Sequence, residues 1–143
     1  MSDQLNEKSE YGLSVIRSMM GPQFAEGLRA AATSGTFGSS VARLAVDYAF
    51  ADVWGRDGLQ RRERSLVVLG VLIAQRQPQE LKNHVKIAIA NGLTVREIEE
   101  VLVQACPYVG FPAISVATTA VIEALREAGL DPLAKTSEER GLL

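Results

Sequence analysis

The amino-acid sequence predicts an all-α protein, a compact bundle of about six to seven helices. Apolar residues recur with a helical period along most of the 143 residues, and prolines and glycines separate the periodic segments. The few β-branched runs lie inside these helical patterns and lack paired turn signals, so we expect no strand. At this length we expect a single domain over residues 1–143, with enough apolar residues for a core of its own.

The predicted helices have recognisable start and stop signals. Their approximate bounds are 3–20, 22–33, 40–54, 59–76, 78–91, 95–105 and 113–128. Pro22 and Pro78 suit the first position of a helix, where no N–H is needed, and Ser39 or Ser40 can supply an N-cap. Gly92 is well placed to end the fifth helix. The tail over residues 130–143 is expected to be extended or partly ordered.

The sixth predicted helix has the clearest boundaries. Thr94 and Glu97 have the spacing of a capping box, and Leu93 and Ile98 have the spacing of a hydrophobic staple. The helix is expected to stop within CPYVGFP, where Gly110 and two prolines make a rigid break.

The fourth predicted helix contains the longest apolar run, LVVLGVLIA (Leu66–Ala74). This run is too short to span a bilayer, which needs about 20 residues. The run is apolar nearly all round, so it needs to be covered on more than one face. We therefore expect it to contribute to a subunit interface as well as to the core.

The composition excludes several classes of partner. The net charge is −2, and neither a basic stripe nor an acidic block is present, so we expect no nucleic-acid binding and no disordered acidic tail. The N-terminus lacks the charged-then-apolar pattern of a signal peptide. The single cysteine, Cys106, cannot form an internal disulfide. We therefore expect a cytoplasmic protein without a membrane partner.

The only histidine, His84, follows Glu80 by one helical turn. On a helical projection the two share a stripe with Ile87 and Asn91 at the border of the apolar face. A carboxylate at this spacing would raise the imidazole pKa or orient one ring nitrogen, which makes a poised acid or base if the border faces a pocket. The alternative is an ordinary Glu–His pair on a helix surface, which contributes roughly a few tenths of a kcal/mol.

Three arginines, Arg61, Arg62 and Arg64, open the fourth predicted helix, where they oppose its dipole. Such a cluster can hold carboxylate groups through forked hydrogen bonds, or it can pair with acidic residues of other helices or subunits. Near the later helix break, Tyr108 and Phe111 would either line a cavity or pack the core.

Metal and cysteine chemistry have weaker support. One histidine and one cysteine, with no acidic cluster near either, are too few ligands for zinc, so no metal site is predicted. Cys106 precedes a proline among apolar residues, which favours a buried structural thiol over a nucleophile.

Four segments, LQRRERSL, ELKNH, NGLTVREIEEVL and YVGFP, occur in the order and at the spacing of one family. Over about Arg43 to Leu125 the sequence resembles the carboxymuconolactone decarboxylase family without a gap. The earlier YGLSVIRSMMG is similar to the family's N-terminal helix. The resemblance implies the carboxymuconolactone decarboxylase/alkylhydroperoxidase-like fold, assembled into trimers or hexamers with sites near subunit contacts.

The resemblance also implies a reaction, the conversion of 4-carboxymuconolactone to 3-oxoadipate enol-lactone in aromatic catabolism, without a cofactor. The family's peroxidase-like branch uses a CxxC pair, which this chain lacks, so disulfide-cycling chemistry has no resolving partner for Cys106. Two segments depart from the decarboxylase pattern. Asp52 replaces a longer acid and Ala51 a glycine, while Phe111 is larger than the usual residue and Ser115 replaces Asn.

Chemistry and position together give a hypothesis for the site. His84 acts as proton donor or oxyanion partner and is oriented by Glu80, while Arg62 or Arg64 anchors a retained carboxylate. Tyr108, Phe111 and Trp54 form an apolar wall, and the departures at Asp52 and Ser115 border the substrate. Two other functions stay open: action on a different small carboxylated or carbonyl substrate, and a non-enzymatic helical oligomer that binds a ligand.

Overall fold

Residues 4–142 are described by a computed structural model and form seven α-helices and one π-helical segment. The helices are α1 (Glu7–Met20), α2 (Pro22–Thr33), α3 (Ser39–Leu44), the π segment (Ala45–Trp54), α4 (Arg61–Ala74), α5 (Pro78–Ala90), α6 (Val95–Val109) and α7 (Phe111–Glu127). Residues 4–142 contain no strand, which confirms the all-helical prediction. No helix within this range is long and apolar enough to cross a membrane.

Two helix ends differ from the sequence prediction. α1 begins at Glu7 because the Asn6 side chain accepts a hydrogen bond from the Ser9 N–H and caps it there; the predicted start near Asp3 lies outside the described residues. The break after α6 falls at Gly110, within the predicted segment CPYVGFP, so α6 continues through Pro107 and ends four residues after the approximate bound at 105. Gly110 has a φ of 85°, which glycine adopts at little cost, and α7 begins immediately after it.

The third predicted helix changes character halfway. It is α-helical in α3 and then widens into the π segment, in which the Gly55 N–H donates to the carbonyl of Phe50 at 2.9 Å, five residues back. A hydrophobic pattern with a period near 3.6 does not signal this widening, because it arises from the backbone hydrogen bonds.

The chain divides into two compact units after Gln60. In the first unit, α1 packs against the π segment and α2 around Leu13, Ile16 and Val46. Gly12 allows the close approach of α1 to the π segment, since a Cβ there would lie 2.2 Å from the Val46 carbonyl oxygen. The buried Ser9 hydroxyl donates to Asp47 at 2.6 Å, which adds a polar link at the same contact.

The second unit is built from α4 to α7, with a core of buried aliphatic side chains that includes Leu69, Leu81, Val85 and Ala117. The predicted capping box is confirmed, because Thr94 and Glu97 each accept a hydrogen bond from the other's backbone N–H. The staple pair of Leu93 and Ile98 is likewise buried in this core.

The C-terminal tail is held against α7. Arg126 donates to the Ala134 carbonyl and forms an ion pair with Glu139. Hydrogen bonds from Arg126 and from the Thr136 backbone lower the pKa of Glu139 to about 2. These contacts connect the tail to α7 as far as Glu139.

Candidate active site

The predicted stripe of α5 runs from solvent into the protein. Glu80 is exposed, His84 is half-buried and Ile87 is buried, while Leu81 and Val85 on the adjacent face belong to the core. The face of α5 that carries Lys82 and Lys86 also makes contacts, because both lysines bind Glu127 of α7, at 2.9 and 2.7 Å. His84 therefore lies at the margin of a helix that is packed along most of its circumference.

The pKa of His84 is lowered, mainly because burial disfavours the charged imidazolium. The negative charge of Glu80 acts in the opposite direction and raises the pKa, but by less than burial lowers it. Burial therefore outweighs the rise in the His84 pKa that the spacing from Glu80 predicts. His84 is a neutral imidazole at pH 7, able to donate a hydrogen bond from one ring nitrogen and accept one at the other.

A side-chain hydrogen bond that the sequence did not single out joins α5 to α4. Asn91, at the end of the His84 stripe, donates to the buried Ser65 hydroxyl at 2.9 Å. The two helices run antiparallel through the short connection 75–77, so this bond fixes one end of the pair and places Ser65 about two helical turns from His84. The presence of Asn91 in the stripe was its only sequence signal.

Arg62 is engaged by an acidic residue of another helix. It forms an ion pair with Glu97 of α6, so the pairing alternative is the one observed for this arginine. Arg64 is half-buried in the same turn of α4. Arg62 lies at the start of α4, three residues before Ser65, so about 15 Å along the helix axes separates its backbone from that of His84.

An open groove of about 560 Å³ runs between α4 and α6. Leu66, Gly70, Val101 and Ala105 form its apolar floor, and Glu97 and Tyr108 stand at its edges. Tyr108 is 83% exposed and Phe111 is 78% exposed, so neither packs the core. Of the two sequence alternatives for these residues, the groove-lining one holds for Tyr108.

Ser115 lies on a different groove, of about 500 Å³, between α5, α7 and the tail. Lys82 and Glu138 contribute to its walls, and Lys82 is already bound to Glu123 and Glu127. Ser115 and Tyr108 therefore line separate surfaces of the second unit.

Asp52 and Trp54 belong to the π segment of the first unit. Asp52 is exposed and pairs with Lys8 at 2.5 Å, while Trp54 is buried. Cys106 is half-buried, less enclosed than a core thiol. Among residues 4–142, no three His, Cys, Asp or Glu side chains come together as metal ligands.

Comparisons with known proteins add to this geometry. The sequence model of the carboxymuconolactone decarboxylase family matches residues 40–124. The 4-carboxymuconolactone decarboxylase of Acinetobacter baylyi is 29% identical over 130 residues, which cover 90% of this chain and 96% of the relative. The nitrosuccinic acid decarboxylase of Metarhizium robertsii is 34% identical over 113 residues, 78% of each chain. The family segments lie in order along nearly the same range that the sequence resemblance covers.

Proposed function

The chain belongs to the carboxymuconolactone decarboxylase family, and from this membership we propose that it is a cytoplasmic carboxy-lyase of aromatic catabolism. Its proposed reaction is the cofactor-independent conversion of 4-carboxymuconolactone to 3-oxoadipate enol-lactone. The observation that carries the proposal is the similarity to a relative of that name along almost the full length of both chains.

The substrate supplies its own electron sink. The departing carboxylate stands on a ring carbon that is conjugated through the double bond to the lactone carbonyl. When the C–C bond breaks and CO2 leaves, the electron pair enters a dienolate whose charge lies on the carbonyl oxygen, and one proton then adds to a ring carbon. The protein has to stabilise the oxyanion, hold the second carboxylate and keep the leaving carboxylate in apolar surroundings.

His84 is the proposed partner of the oxyanion. The lowered pKa keeps the imidazole neutral at pH 7, and a neutral imidazole stabilises an oxyanion by donating its N–H. This favours hydrogen-bond donation over direct proton delivery by an imidazolium. In the proposal Glu80, one turn earlier, orients the ring.

Arg62 or Arg64 is proposed to hold the retained carboxylate by a forked hydrogen bond. For Arg62 the carboxylate would replace Glu97, its observed partner. Tyr108 and Phe111 are proposed as the apolar wall. The assignment of Trp54, Asp52 and Ser115 to the same site stays a prediction from the sequence, since Ser115 lines a separate groove.

A homotrimer or homohexamer is proposed as the functional state. Val67 and Val71, in the apolar run of α4, remain exposed on the chain, as do Tyr108 and Phe111. Contacts between subunits would cover these side chains and close the groove beside α4 against water.

A nitro-substituted diacid is the second candidate substrate, because the fungal relative is a nitrosuccinic acid decarboxylase. In such a molecule the nitro group takes the electron pair in place of the lactone carbonyl. The same set of residues would then donate to a nitro oxygen. The bulk of Phe111 and the hydroxyl of Ser115 are the features that would alter the choice of substrate.

The test is CO2 release by the purified protein from 4-carboxymuconolactone and from nitrosuccinate, with no cofactor added. Release from the lactone at a rate that saturates with substrate supports the primary proposal. Release from nitrosuccinate alone selects the second candidate. A folded protein that binds either acid and releases no CO2 contradicts both and supports a ligand-binding role.

A further inference from the structure

Four large apolar side chains of the first unit stand in solvent along one helix and the loop before it. Phe37 is 109% exposed, Val41 70%, Leu44 64% and Tyr48 63%. We call these four residues the outer stripe. A helix that presents an apolar stripe gains stability by burying it, so a stripe left in solvent marks a surface that a partner covers.

Three members of the outer stripe follow one side of a continuous helical stretch. Val41, Leu44 and Tyr48 are three and four residues apart, and Phe37 lies in the turn just before α3. The last three members lie in α3 and the π segment, on the continuous helical stretch 39–54.

The side chains beside the outer stripe are either neutral or form an ion pair with each other. Ser40 and Ala45 carry no charge, and Arg43 donates to Asp47 at 2.7 Å within the same chain. A surface of this kind offers nothing to select a strongly charged partner. Facing an identical copy, it also meets no like-charge repulsion.

The exposed area of the outer stripe also fits a second copy of this chain as the partner. Four side chains of this size and exposure present on the order of 500 Å² per chain. Two copies packed face to face would bury on the order of 1,000 Å², which reaches the lower limit for a specific interface. We propose that the outer stripe packs against the outer stripe of a second copy of this chain, related by a two-fold axis.

Charge substitutions at the centre of the outer stripe test this contact on the full-length protein. The double variant Val41→Lys/Leu44→Lys places like charges on both sides of the axis, as does Val41→Glu/Leu44→Glu. Each variant alone should show a molar mass, by sedimentation velocity at micromolar concentration, of about half the wild-type value or less. An equimolar mixture of the two should regain the wild-type mass, because opposite charges then face each other across a self-complementary contact.

Val103→Lys is the matched control, an exposed valine of α6 in the second unit; it should keep the wild-type mass. Circular dichroism should show unchanged helix content in all variants, since the replaced side chains are exposed. Three results would overturn the proposal: a monomeric wild type, a double variant that keeps the wild-type mass, or a mixture that does not regain it. The last result would show that the outer stripe meets a different surface.

Discussion

Arg62 of α4 donates to the carboxylate of Glu97, the same side chain that closes the capping box of α6. One carboxylate thus serves two helices: one oxygen accepts the Thr94 N–H at 3.2 Å and the other accepts from the arginine. The start of α6 and the arginine at the opening of α4 are therefore coupled. A substrate carboxylate that binds Arg62 has to compete with Glu97.

Replacement of Glu97 by Gln should lower the urea midpoint of unfolding at pH 7. The amide keeps an oxygen for Thr94 but loses the charge that holds Arg62. The bond from the Thr94 backbone, followed by Arg62, lowers the pKa of Glu97, so its stabilisation is present above the unfolded pKa near 4.5 and is lost as the pH falls through the folded value. The difference between wild type and variant should shrink below about pH 4.5. Glu100→Gln, an exposed neighbour on α6, is the control and should leave the midpoint unchanged.

His84→Gln should reduce kcat for decarboxylation by about 100-fold or more, the usual loss when one oxyanion donor is removed. Molar mass and helix content should be unchanged. Asn83→Gln, on the exposed side of α5, serves as the matched control at the adjacent position and should retain the wild-type rate. A His84→Gln enzyme with near-normal turnover would remove this residue from the mechanism.

The single histidine gives one titrating imidazole in the NMR spectrum, so its pKa can be measured without assignment. We expect a midpoint below about 6.5, because burial disfavours the cation. Glu80→Gln should move the midpoint lower still, since the carboxylate is what raises it. An unchanged midpoint in Glu80→Gln would show that Glu80 does not influence the pKa of His84.

The lowered pKa of His84 also has a consequence for stability. The unfolded chain binds this proton more readily than the folded one, so stability should fall as the pH drops through about 6.5 toward the folded value. Above that range the contribution of the neutral ring is fully present. His84→Gln should remove this part of the pH dependence in urea unfolding measured between pH 5 and 8; an identical slope in the variant would assign it to other groups.

Asp47→Asn should cost about 1–3 kcal/mol of unfolding free energy. Burial raises the pKa of Asp47, but hydrogen bonds from Ser9 and Arg43 outweigh it and the net pKa is lowered. Its stabilisation is therefore present above the unfolded pKa of about 3.9 and declines at lower pH, so the gap to wild type should narrow there. Lys8→Gln, which breaks the exposed pair with Asp52, should change the free energy by no more than about 0.5 kcal/mol.

Gly12→Ala and Gly27→Ala form a matched pair in neighbouring helices. The new Cβ at position 12 would lie 2.2 Å from the Val46 carbonyl oxygen, so α1 has to move away from the π segment, at a cost of about 1–3 kcal/mol. At position 27 a Cβ meets nothing within 4 Å, so alanine should stabilise α2 by about 0.5–1 kcal/mol. Thermal unfolding of both variants checks the opposite signs, and a neutral Gly12→Ala would refute the close contact.

Local patterns of the sequence predicted most of the secondary structure. The bounds of α2 and the capping box at Thr94 depend on residues a few positions apart, and the structure confirms them. The family resemblance was predicted from ordered segments in the same way, and the family match confirms it. The single domain and the roles of the site residues stay predictions.

Tertiary structure decided what distant residues do to one another. The net shift in the pKa of His84 depends on how deeply packing buries the ring. The partner of Arg62, Glu97 of α6, lies 35 positions away in the sequence. The π segment and the polar link between Ser65 and Asn91 likewise left little trace in the periodicity. Hydrophobic spacing specifies which face of a helix turns inward, whereas the depth of burial and the pairing of charges depend on which helices meet there.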